Sequence, residues 1–276
     1  MKFTIFGATG FIGAAQLRYL RAQGHEVLTP GREETADARF LAGTDFGHAI
    51  YAIGLTADFR RKPIETLRAH TGVLAELLAL GKFSSFTYLS STRVYGCEGG
   101  PTHEEAPLTL SPAKPDHLYN ASKIAGESLV LALDRPDYRV VRLSNVYGAD
   151  FTSENFLTSV LRQAVRGRIR LHTSLASEKD YIALSDVVDT LPAIALAGRH
   201  RLYNLAAGEN VSHGEICDRL ARLCQADIRV GEGAPIVRCP PIDISRLGAE
   251  FDFRPASLLT DMTRLVALSR AELETA

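Results

Sequence analysis

The stretch KFTIFGATGFIG, residues 2–13, joins a short apolar run to three glycines at three-residue spacing. The run from Lys2 to Phe6 is rich in β-forming residues and predicts a strand. The segment from Phe11 to Ala22 carries apolar residues at the spacing of a helix. The glycines therefore lie where a strand turns directly into a helix, which predicts the first unit of a parallel sheet.

Each glycine of this turn has its own physical task. The first permits the tight turn, the second lets a pyrophosphate approach the backbone, and the third lets the helix pack closely on the strand. The start of the helix also presents free N–H groups to an anion. We therefore expect a dinucleotide here, although a plain tight turn has the same pattern. The residues expected to bind it are Gly7, Thr9, Gly10, Phe11, Ile12 and Gly13.

The alternation of strand and helix continues beyond this turn. Short β-prone runs alternate with segments of helical periodicity, and this order requires a parallel sheet with helices between its strands. The sequence thus predicts an α/β fold, a doubly wound parallel sheet of the Rossmann type with a smaller C-terminal substrate-binding lobe. Further predicted strands are 25–29, 48–54, 86–90 and 138–144, and further predicted helices are 63–80 and 117–133.

After Gly148 the strict alternation is lost, which indicates the second, smaller lobe. A helix predicted at 186–198 returns to the first domain. We therefore assign 1–148 and about 182–204 to the dinucleotide-binding domain, and 149–181 and 205–276 to the substrate-binding lobe.

The composition is that of an ordinary soluble globular protein. Of the 276 residues, 46% are hydrophobic and 23% are charged, which excludes a disordered or fibrous chain. The net charge of -1 gives no overall attraction to nucleic acid or anionic lipid, so neither is an expected partner. The apolar start is broken by Gly7 too early for a signal peptide, and no segment approaches the ~20 apolar residues of a membrane span. We expect a cytoplasmic protein.

The four cysteines are Cys97, Cys217, Cys224 and Cys239. They form no Cys-x-x-Cys pair and match no histidine spacing, so we expect neither a zinc site nor a disulfide framework. No metal is assigned. Unpaired thiols fit a reducing cytoplasm.

The end of the second strand bears on the choice of cofactor. Many dinucleotide folds carry an acidic residue there, which accepts the ribose hydroxyls, but residues 28–32 of this chain read LTPGR. A carboxylate would repel a 2′-phosphate, whereas the Arg32 guanidinium can bind one with two hydrogen bonds. Arg32 therefore favours NADP, with NAD the alternative. The alternative interpretation is that Arg32 is a solvated loop residue beside Glu33 and binds no phosphate.

Tyr119 and Lys123 stand four residues apart at the start of a predicted helix. This spacing places both side chains on one face, a turn apart. A phenol has a pKa of ~10, and a nearby ammonium favours its ionised form, so Tyr119 becomes a usable acid/base. Pairs with this spacing also occur by chance on helix surfaces.

Seven motifs in order along the chain resemble those of extended short-chain dehydrogenases/reductases, the NAD(P)-dependent sugar-nucleotide epimerase/dehydratase family. The motifs are GATGFIG (7–13), YLSSTRVYG (88–96), YNASK (119–123), RLSNVYG (142–148), KDYIALSDVVD (179–189), YNLAAGENVS (203–212) and LGAEFDFRPASLL (247–259). The resemblance implies that Ser91 is the catalytic hydroxyl and Tyr119 the acid/base. It also implies that Lys123 holds the nicotinamide ribose and lowers the pKa of the tyrosine. A strand-end hydroxyl that bonds the backbone is the alternative for Ser91.

The resemblance also implies substrate contacts. Asn145 would contact the diphosphate or sugar of a nucleotide-linked substrate, or simply cap a turn. Lys179 and Arg238 would pair with the diphosphate, or be ordinary solvated residues. The loop 231–241 departs from the family pattern, which leaves a substrate without a nucleotide open.

The resemblance implies a homodimer as well. Helices 63–80 and 117–133 correspond to the pair through which relatives form a four-helix bundle. Both carry apolar residues on more than one face. Covering the sheet within one chain is the alternative explanation of those faces.

The expected activity is hydride transfer at a carbinol or keto carbon of a nucleotide-linked sugar, by an oxidoreductase or epimerase. Dehydratases of the family carry an Asp-Glu pair where this chain has Thr92 and Arg93, so dehydration is not expected. Arg32 tilts the choice slightly toward reduction. The alternatives are a non-catalytic, NADP-binding redox sensor and a reductase of a non-nucleotide carbonyl substrate.

Overall fold

The structure is a computed structural model that describes residues 1–55 and 58–275. Its strands are β1 (Lys2–Phe6), β2 (Glu26–Leu28), β3 (His48–Tyr51), β4 (Ser85–Ser91), β5 (Tyr138–Leu143), β6 (Asn145–Tyr147), β7 (Arg168–Leu171), β8 (Glu178–Ala183), β9 (Leu202–Leu205), β10 (Asn210–Ser212) and β11 (Asp227–Val230).

The helices occur between and after these strands. They are α1 (Phe11–Ala22), α2 (Arg32–Ala36), α3 (Ala38–Gly43), α4 (Pro63–Leu67), α5 (Val73–Leu80), α6 (His117–Ala132), α7 (Phe156–Val165), α8 (Leu184–Ala197), α9 (His213–Cys224), α10 (Ser245–Phe251) and α11 (Leu258–Thr275). In the described ranges, no helix is both long and apolar enough to cross a membrane.

Within the described residues, a six-stranded sheet has the order β2-β1-β3-β4-β5-β9 with every neighbouring pair parallel. Successive residues of its strands are buried on opposite faces, as for Ile50 and Tyr51. Tyr51 packs in a core with α5 and α6, whereas Ile50 packs in a core with α8. Helices thus cover both faces, and the predicted α/β class with a Rossmann-type sheet is confirmed.

Two predicted elements differ in detail from the observed ones. The predicted strand 48–54 ends at Tyr51, where the chain leaves the sheet to run beneath Gly7. The predicted helix 63–80 is interrupted by a π-helical turn at Arg68–Gly72 between α4 and α5. Such turns are rare and often occur at functional sites. This one includes His70, whose side chain is completely buried.

The smaller lobe contains short sheets packed on helices. In the described part of the chain, β6, β8 and β10 form one sheet, and β7 and β11 form another. Their core is built with apolar residues of α7, α9 and α11. Two elements cross the predicted division of the chain. β6 begins before residue 149 and lies in a small-lobe sheet, while α10 packs on β9 and contributes Leu247 to the core of the large sheet. The domain boundaries stay a prediction.

The expectation of unpaired cysteines is wrong for two of the four. Cys97 and Cys239 are joined by a disulfide across 142 residues of sequence, whereas Cys217 and Cys224 are free. Sequence spacing carries no sign of this pair, because only folding brings the loop after β4 against the loop before α10. The cysteine pattern therefore no longer supports a reducing compartment.

We predict that Cys97→Ala will lower the free energy of unfolding by about 2–5 kcal/mol under non-reducing conditions, the usual loss for a native disulfide. Urea denaturation with and without a thiol reductant measures it. Under reducing conditions the variant and the wild type should differ little. Cys224→Ala is the control, and a wild-type chain with four reactive thiols after non-reducing purification would contradict the prediction.

Candidate active site

A cleft of 540 Å³ opens at the carboxyl edge of the large sheet. Residues that follow β1, β3, β4 and β5 line its floor, which is where ligands collect in open α/β sheets. The first turns of α6 and α7 and part of β8 line its sides. The cleft therefore lies between the large sheet and the smaller lobe.

The cleft gathers most of the residues predicted from the sequence. Those that line it are Gly10, Phe11, Ile12, Ser91, Tyr119, Lys123, Asn145 and Lys179. Thr9 lines a neighbouring pocket that also includes Gly10 and Phe11. Within the described residues, the cleft lining does not include Gly7, Gly13, Arg32 or Arg238.

Close packing of backbone atoms leaves no room for side chains at two positions of the glycine turn. Gly7 has a φ of +89°, and a Cβ atom there would lie 2.9 Å from the backbone of Ala52. A Cβ on Gly13 would lie 2.2 Å from the carbonyl oxygen of Gly7. Both positions therefore require glycine, as the sequence predicts.

The turn leaves the start of α1 available to an anion. Gly10 is the N-cap, no side chain caps the helix, and its first turn has no acidic residue. The N–H groups of this turn and the positive end of the helix dipole suit a phosphate. These residues fit the pyrophosphate of a dinucleotide.

Ser91 ends β4 at the floor of the cleft, between the large sheet and a 3₁₀ turn at Thr92–Tyr95. Its Oγ accepts a hydrogen bond from the Arg93 N–H at 3.3 Å, so the hydroxyl also caps the turn. The hydroxyl hydrogen is still available to donate to a bound oxygen. Both interpretations of Ser91 are thus compatible with the geometry.

Tyr119 lies in the first turn of α6 and is only 3% exposed. Its ring packs against Phe59, with the ring centroids 5.3 Å apart, and edge-on against His70, also at 5.3 Å. The Nδ1 of His70 lies 2.7 Å from the Ser122 hydroxyl, which donates to the Tyr119 carbonyl. The aromatic contacts therefore hold the phenol ring, and the hydrogen bonds hold the backbone of Tyr119 and the imidazole that packs against the ring.

Lys123 lies one turn further along α6 and is almost completely buried. Its Nζ donates to the Leu89 carbonyl at 2.9 Å and lies 5.1 Å from the centre of the Tyr88 ring. Burial lowers the pKa of Lys123 to about 7, although the Glu127 carboxylate acts in the opposite direction. The ammonium therefore sits where a small change of surroundings changes its charge.

Arg32 is exposed and begins α2, after the end of β2. In the described structure it has no ion pair. Glu34, two residues on, bonds the Gly31 N–H at 2.7 Å. Because β2 is parallel to β1, its carboxyl end lies on the same edge of the sheet as the glycine turn. The guanidinium is therefore on the side where the adenosine end of a dinucleotide would lie.

The three predicted substrate residues are in different settings. Asn145 donates from Nδ2 to the Asp180 carbonyl at 2.8 Å, which anchors its amide at the cleft wall. Lys179 is half-buried, and its pKa is lowered by burial and by the nearby Arg93. Arg238 is exposed and pairs through its backbone with Glu178, outside the cleft lining described above.

The structure adds three residues that the predicted site did not include: Phe59, His70 and Arg93. Phe59 and His70 come from a loop and a π turn that show no pattern of their own. Arg93 stands inside the YLSSTRVYG motif, two residues after Ser91, so its position was visible in the sequence. Its role depends on a cleft that only the fold creates.

A family comparison accounts for this arrangement. The profile of the "NAD dependent epimerase/dehydratase family" matches residues 3–206. The chain belongs to this family. The match includes the glycine turn and the residues Ser91, Tyr119 and Lys123.

Among characterised proteins, similarity extends to several activities. The chain is 30% identical to a dTDP-glucose 4,6-dehydratase of Streptomyces griseus over 64% of this chain and 56% of that protein. It is 30% identical to a dTDP-6-deoxy-L-talose 4-dehydrogenase (NAD(P)(+)) of Kitasatospora kifunensis, over 72% of this chain and 70% of that one. It is 28% identical to a UDP-glucose 4-epimerase of Mycolicibacterium smegmatis, over 80% and 82%. The match thus spans little more than half of the Streptomyces griseus dehydratase.

Solved structures show the same fold. "MoeE5 in complex with UDP-glucose and NAD" superposes with a TM-score of 0.83 at 21% identity, over 99% of this chain and 100% of that one. RMD from Pseudomonas aeruginosa complexed with NADPH superposes with a TM-score of 0.82 at 23% identity, over 98% and 100%. At these identities the likeness establishes the fold.

We predict that Lys123→Met will remove a pH dependence of stability in the cofactor-free protein. Between pH 7 and 10.5 the unfolded chain keeps a proton on Lys123 that the folded chain has lost, so stability rises with pH, by about 1.4 kcal/mol per unit. Below pH 7 both states hold the proton and this slope disappears. Urea denaturation at pH 7, 8 and 9 measures the slope.

The control for this experiment is Lys82→Met, since Lys82 is exposed. The control should keep the wild-type slope, whereas Lys123→Met should flatten it. Equal slopes for the wild type and Lys123→Met would show that the buried amine does not titrate in this range.

Proposed function

We propose that the protein is an NAD(P)-dependent oxidoreductase or epimerase that acts on a nucleotide-linked sugar. The observation that carries the proposal is the meeting of Ser91, Tyr119 and Lys123 beside the glycine turn in one cleft. Three relatives are named as a dehydratase, an epimerase and a dehydrogenase, and each name gives a sugar linked to dTDP or UDP as the substrate. A nucleotide-linked sugar is therefore the proposed substrate class.

A bound nicotinamide dinucleotide supplies the hydride acceptor or donor for such a reaction. Tyr119 holds or moves the proton at the reacting oxygen, and the Ser91 hydroxyl donates a hydrogen bond to the same oxygen. Lys123, one helical turn from Tyr119, favours the ionised phenol when its ammonium is charged. The packing of Phe59 and His70 on the phenol keeps the acid/base in place.

The cofactor proposed is NADP, with NAD the alternative. Arg32 supports this choice because a guanidinium can pair with a 2′-phosphate that a carboxylate would repel. Complexes of related folds with NAD and with NADPH are both known. A preference for NADP slightly favours reduction of a keto-sugar over epimerisation.

We propose in addition that the protein forms a homodimer through α4, α5 and α6. Ile64 is 63% exposed and Leu67 is 47% exposed on α4, so this helix presents apolar side chains to its surroundings. A second copy of the same face would cover them. This supports the assembly that the resemblance implies.

We predict that Tyr119→Phe will reduce turnover by about 10²–10⁴-fold, the usual contribution of a positioned acid/base. The absorbance of the reduced nicotinamide measures net oxidation or reduction of UDP- and dTDP-linked sugars. Chromatography of the sugar products measures epimerisation, which returns the hydride and leaves the cofactor unchanged. The dissociation constant of the cofactor should hardly change, because the phenyl ring keeps its packing.

Tyr19→Phe is the matched control, since the Tyr19 hydroxyl bonds Asp189 rather than cleft residues. It should retain full activity. Undiminished turnover in Tyr119→Phe would refute the assigned role. A wild-type protein that binds the cofactor but neither oxidises, reduces nor epimerises any such sugar would favour a redox sensor.

We predict that Arg32→Ala will weaken NADP binding by roughly 10- to 100-fold, which corresponds to one lost charge-assisted contact. NAD binding should stay close to its wild-type value, because NAD has no 2′-phosphate. Titration calorimetry with both cofactors measures the two constants. Arg39→Ala, another exposed arginine nearby in sequence, should change neither. A wild-type preference for NAD would contradict the assignment.

A further inference from the structure

Arg93 lies at the reacting end of the cleft with its backbone anchored on two sides. Its N–H donates to the Ser91 Oγ at 3.3 Å, and its carbonyl accepts from the Asn120 Nδ2 at 2.9 Å. These bonds tie it to the end of β4 and to the start of α6. The residue therefore moves with the two elements that carry the proposed catalytic groups.

The Arg93 side chain packs on aromatic rings that line the cleft. Its guanidinium carbon lies 5.0 Å from the centre of the Tyr119 ring and 5.1 Å from that of the Phe59 ring. Cation–π contacts of this kind orient a guanidinium without using its N–H donors. Among the described residues no hydrogen bond occupies those donors, so they can bind another group beside Tyr119.

No carboxylate in the described structure forms an ion pair with Arg93. Desolvation by the surrounding groups lowers the pKa of Arg93, whereas Tyr119 and then Asp116 act in the opposite direction. Asp116 itself is held by Arg60 through two hydrogen bonds of 2.5 and 2.6 Å. Arg93 is exposed to the open cleft and stays protonated. Among the described residues, its guanidinium is therefore a positive charge that no carboxylate pairs with.

The other charged groups of the cleft do not supply a counter-charge to Arg93. Lys179 is a second basic group in the cleft. Its pKa is lowered by burial and, in addition, by the positive charge of Arg93. Of the acidic lining residues, Glu154 pairs with Arg162 and Asp150 accepts hydrogen bonds from Thr152 and the Ser153 N–H. In the described structure, the charged side chains that act on Arg93 and Lys179 are each other, Arg60, and the Asp116 carboxylate that Arg60 already holds.

We infer that Arg93 selects a nucleotide-linked sugar that carries a carboxylate on its ring, that is, a uronate. The inference rests on the proposed function and names the substrate class more closely. A carboxylate next to the carbon that reacts at Tyr119 would meet the guanidinium with two hydrogen bonds. The substrate diphosphate is a less suitable partner, because the sugar ring separates it from the reacting carbon.

The experiment measures binding of matched neutral and acidic sugars to the full chain loaded with its cofactor. The probes are UDP-glucose with UDP-glucuronic acid, and dTDP-glucose with dTDP-glucuronic acid, each titrated by calorimetry. We expect the wild type to bind the uronate of at least one pair about tenfold or more tightly than the hexose, as a charge-assisted bidentate contact provides.

Two variants of Arg93 separate charge from packing. Arg93→Met keeps a flexible side chain against the two rings but removes the charge, so the preference for the uronate should fall to about one. Arg93→Lys keeps the charge and should retain part of the preference. Arg61→Met is the control, since Arg61 is exposed outside the cleft lining, and it should leave the preference unchanged.

The remaining outcomes overturn the inference in distinguishable ways. If the wild type shows no preference, or if Arg93→Met weakens both members of a pair equally, Arg93 does not recognise a sugar carboxylate. Hydride transfer to a neutral sugar that depends on Tyr119 would then leave the proposed function standing. If the cofactor-loaded protein binds none of the four probes and oxidises, reduces or epimerises no other nucleotide-linked sugar, the proposed function fails together with the inference.

Discussion

A buried ion pair sets the position of the candidate catalytic helix on the sheet. Glu127 of α6 and Arg142 of β5 have side chains that are each 4% exposed, and their closest atoms are 2.6 Å apart. Ser90 of β4 donates to the same carboxylate. One residue further along β4 is Ser91, and one turn back along α6 is Lys123. Removing one partner of such a buried pair typically lowers the free energy of unfolding by about 3–5 kcal/mol. The contact therefore helps to fix the position of α6 on β5.

The two halves of the cleft are specified by different physical means. Backbone geometry specifies the proposed cofactor side, because Gly7 and Gly13 have no room for a side chain and the start of α1 has no side-chain cap. Side-chain packing specifies the proposed substrate side, where Phe59, Tyr119 and Arg93 stack on one another. Backbone requirements leave a simple sequence pattern, whereas packing among distant segments does not.

Much of the fold was predictable because its elements are local. The strand at Lys2–Phe6 and the helix at Phe11–Ala22 have the predicted bounds, since periodicity and a glycine turn mark both. The π turn at Arg68–Gly72 was not predicted, because the apolar pattern of the helix continues through it. The disulfide was missed for a related reason: Cys97 and Cys239 have no local signal, and the loops that carry them meet only in the folded chain.

The sequence by itself determined the class of sheet, the glycine turn and the Tyr119–Lys123 pair, because these depend on short-range spacing, which a linear chain displays directly. It indicated Ser91 as a candidate through the resemblance of its motif to those of a known family. The tertiary structure decided that the candidates share one cleft and that Lys123 is buried enough to lower its pKa. It also decided that Arg93 faces Tyr119 with no ion pair to a carboxylate in the part of the chain that the structure describes. Burial and the balance of charge are sums over segments far apart in sequence, so they exist only once the chain has folded.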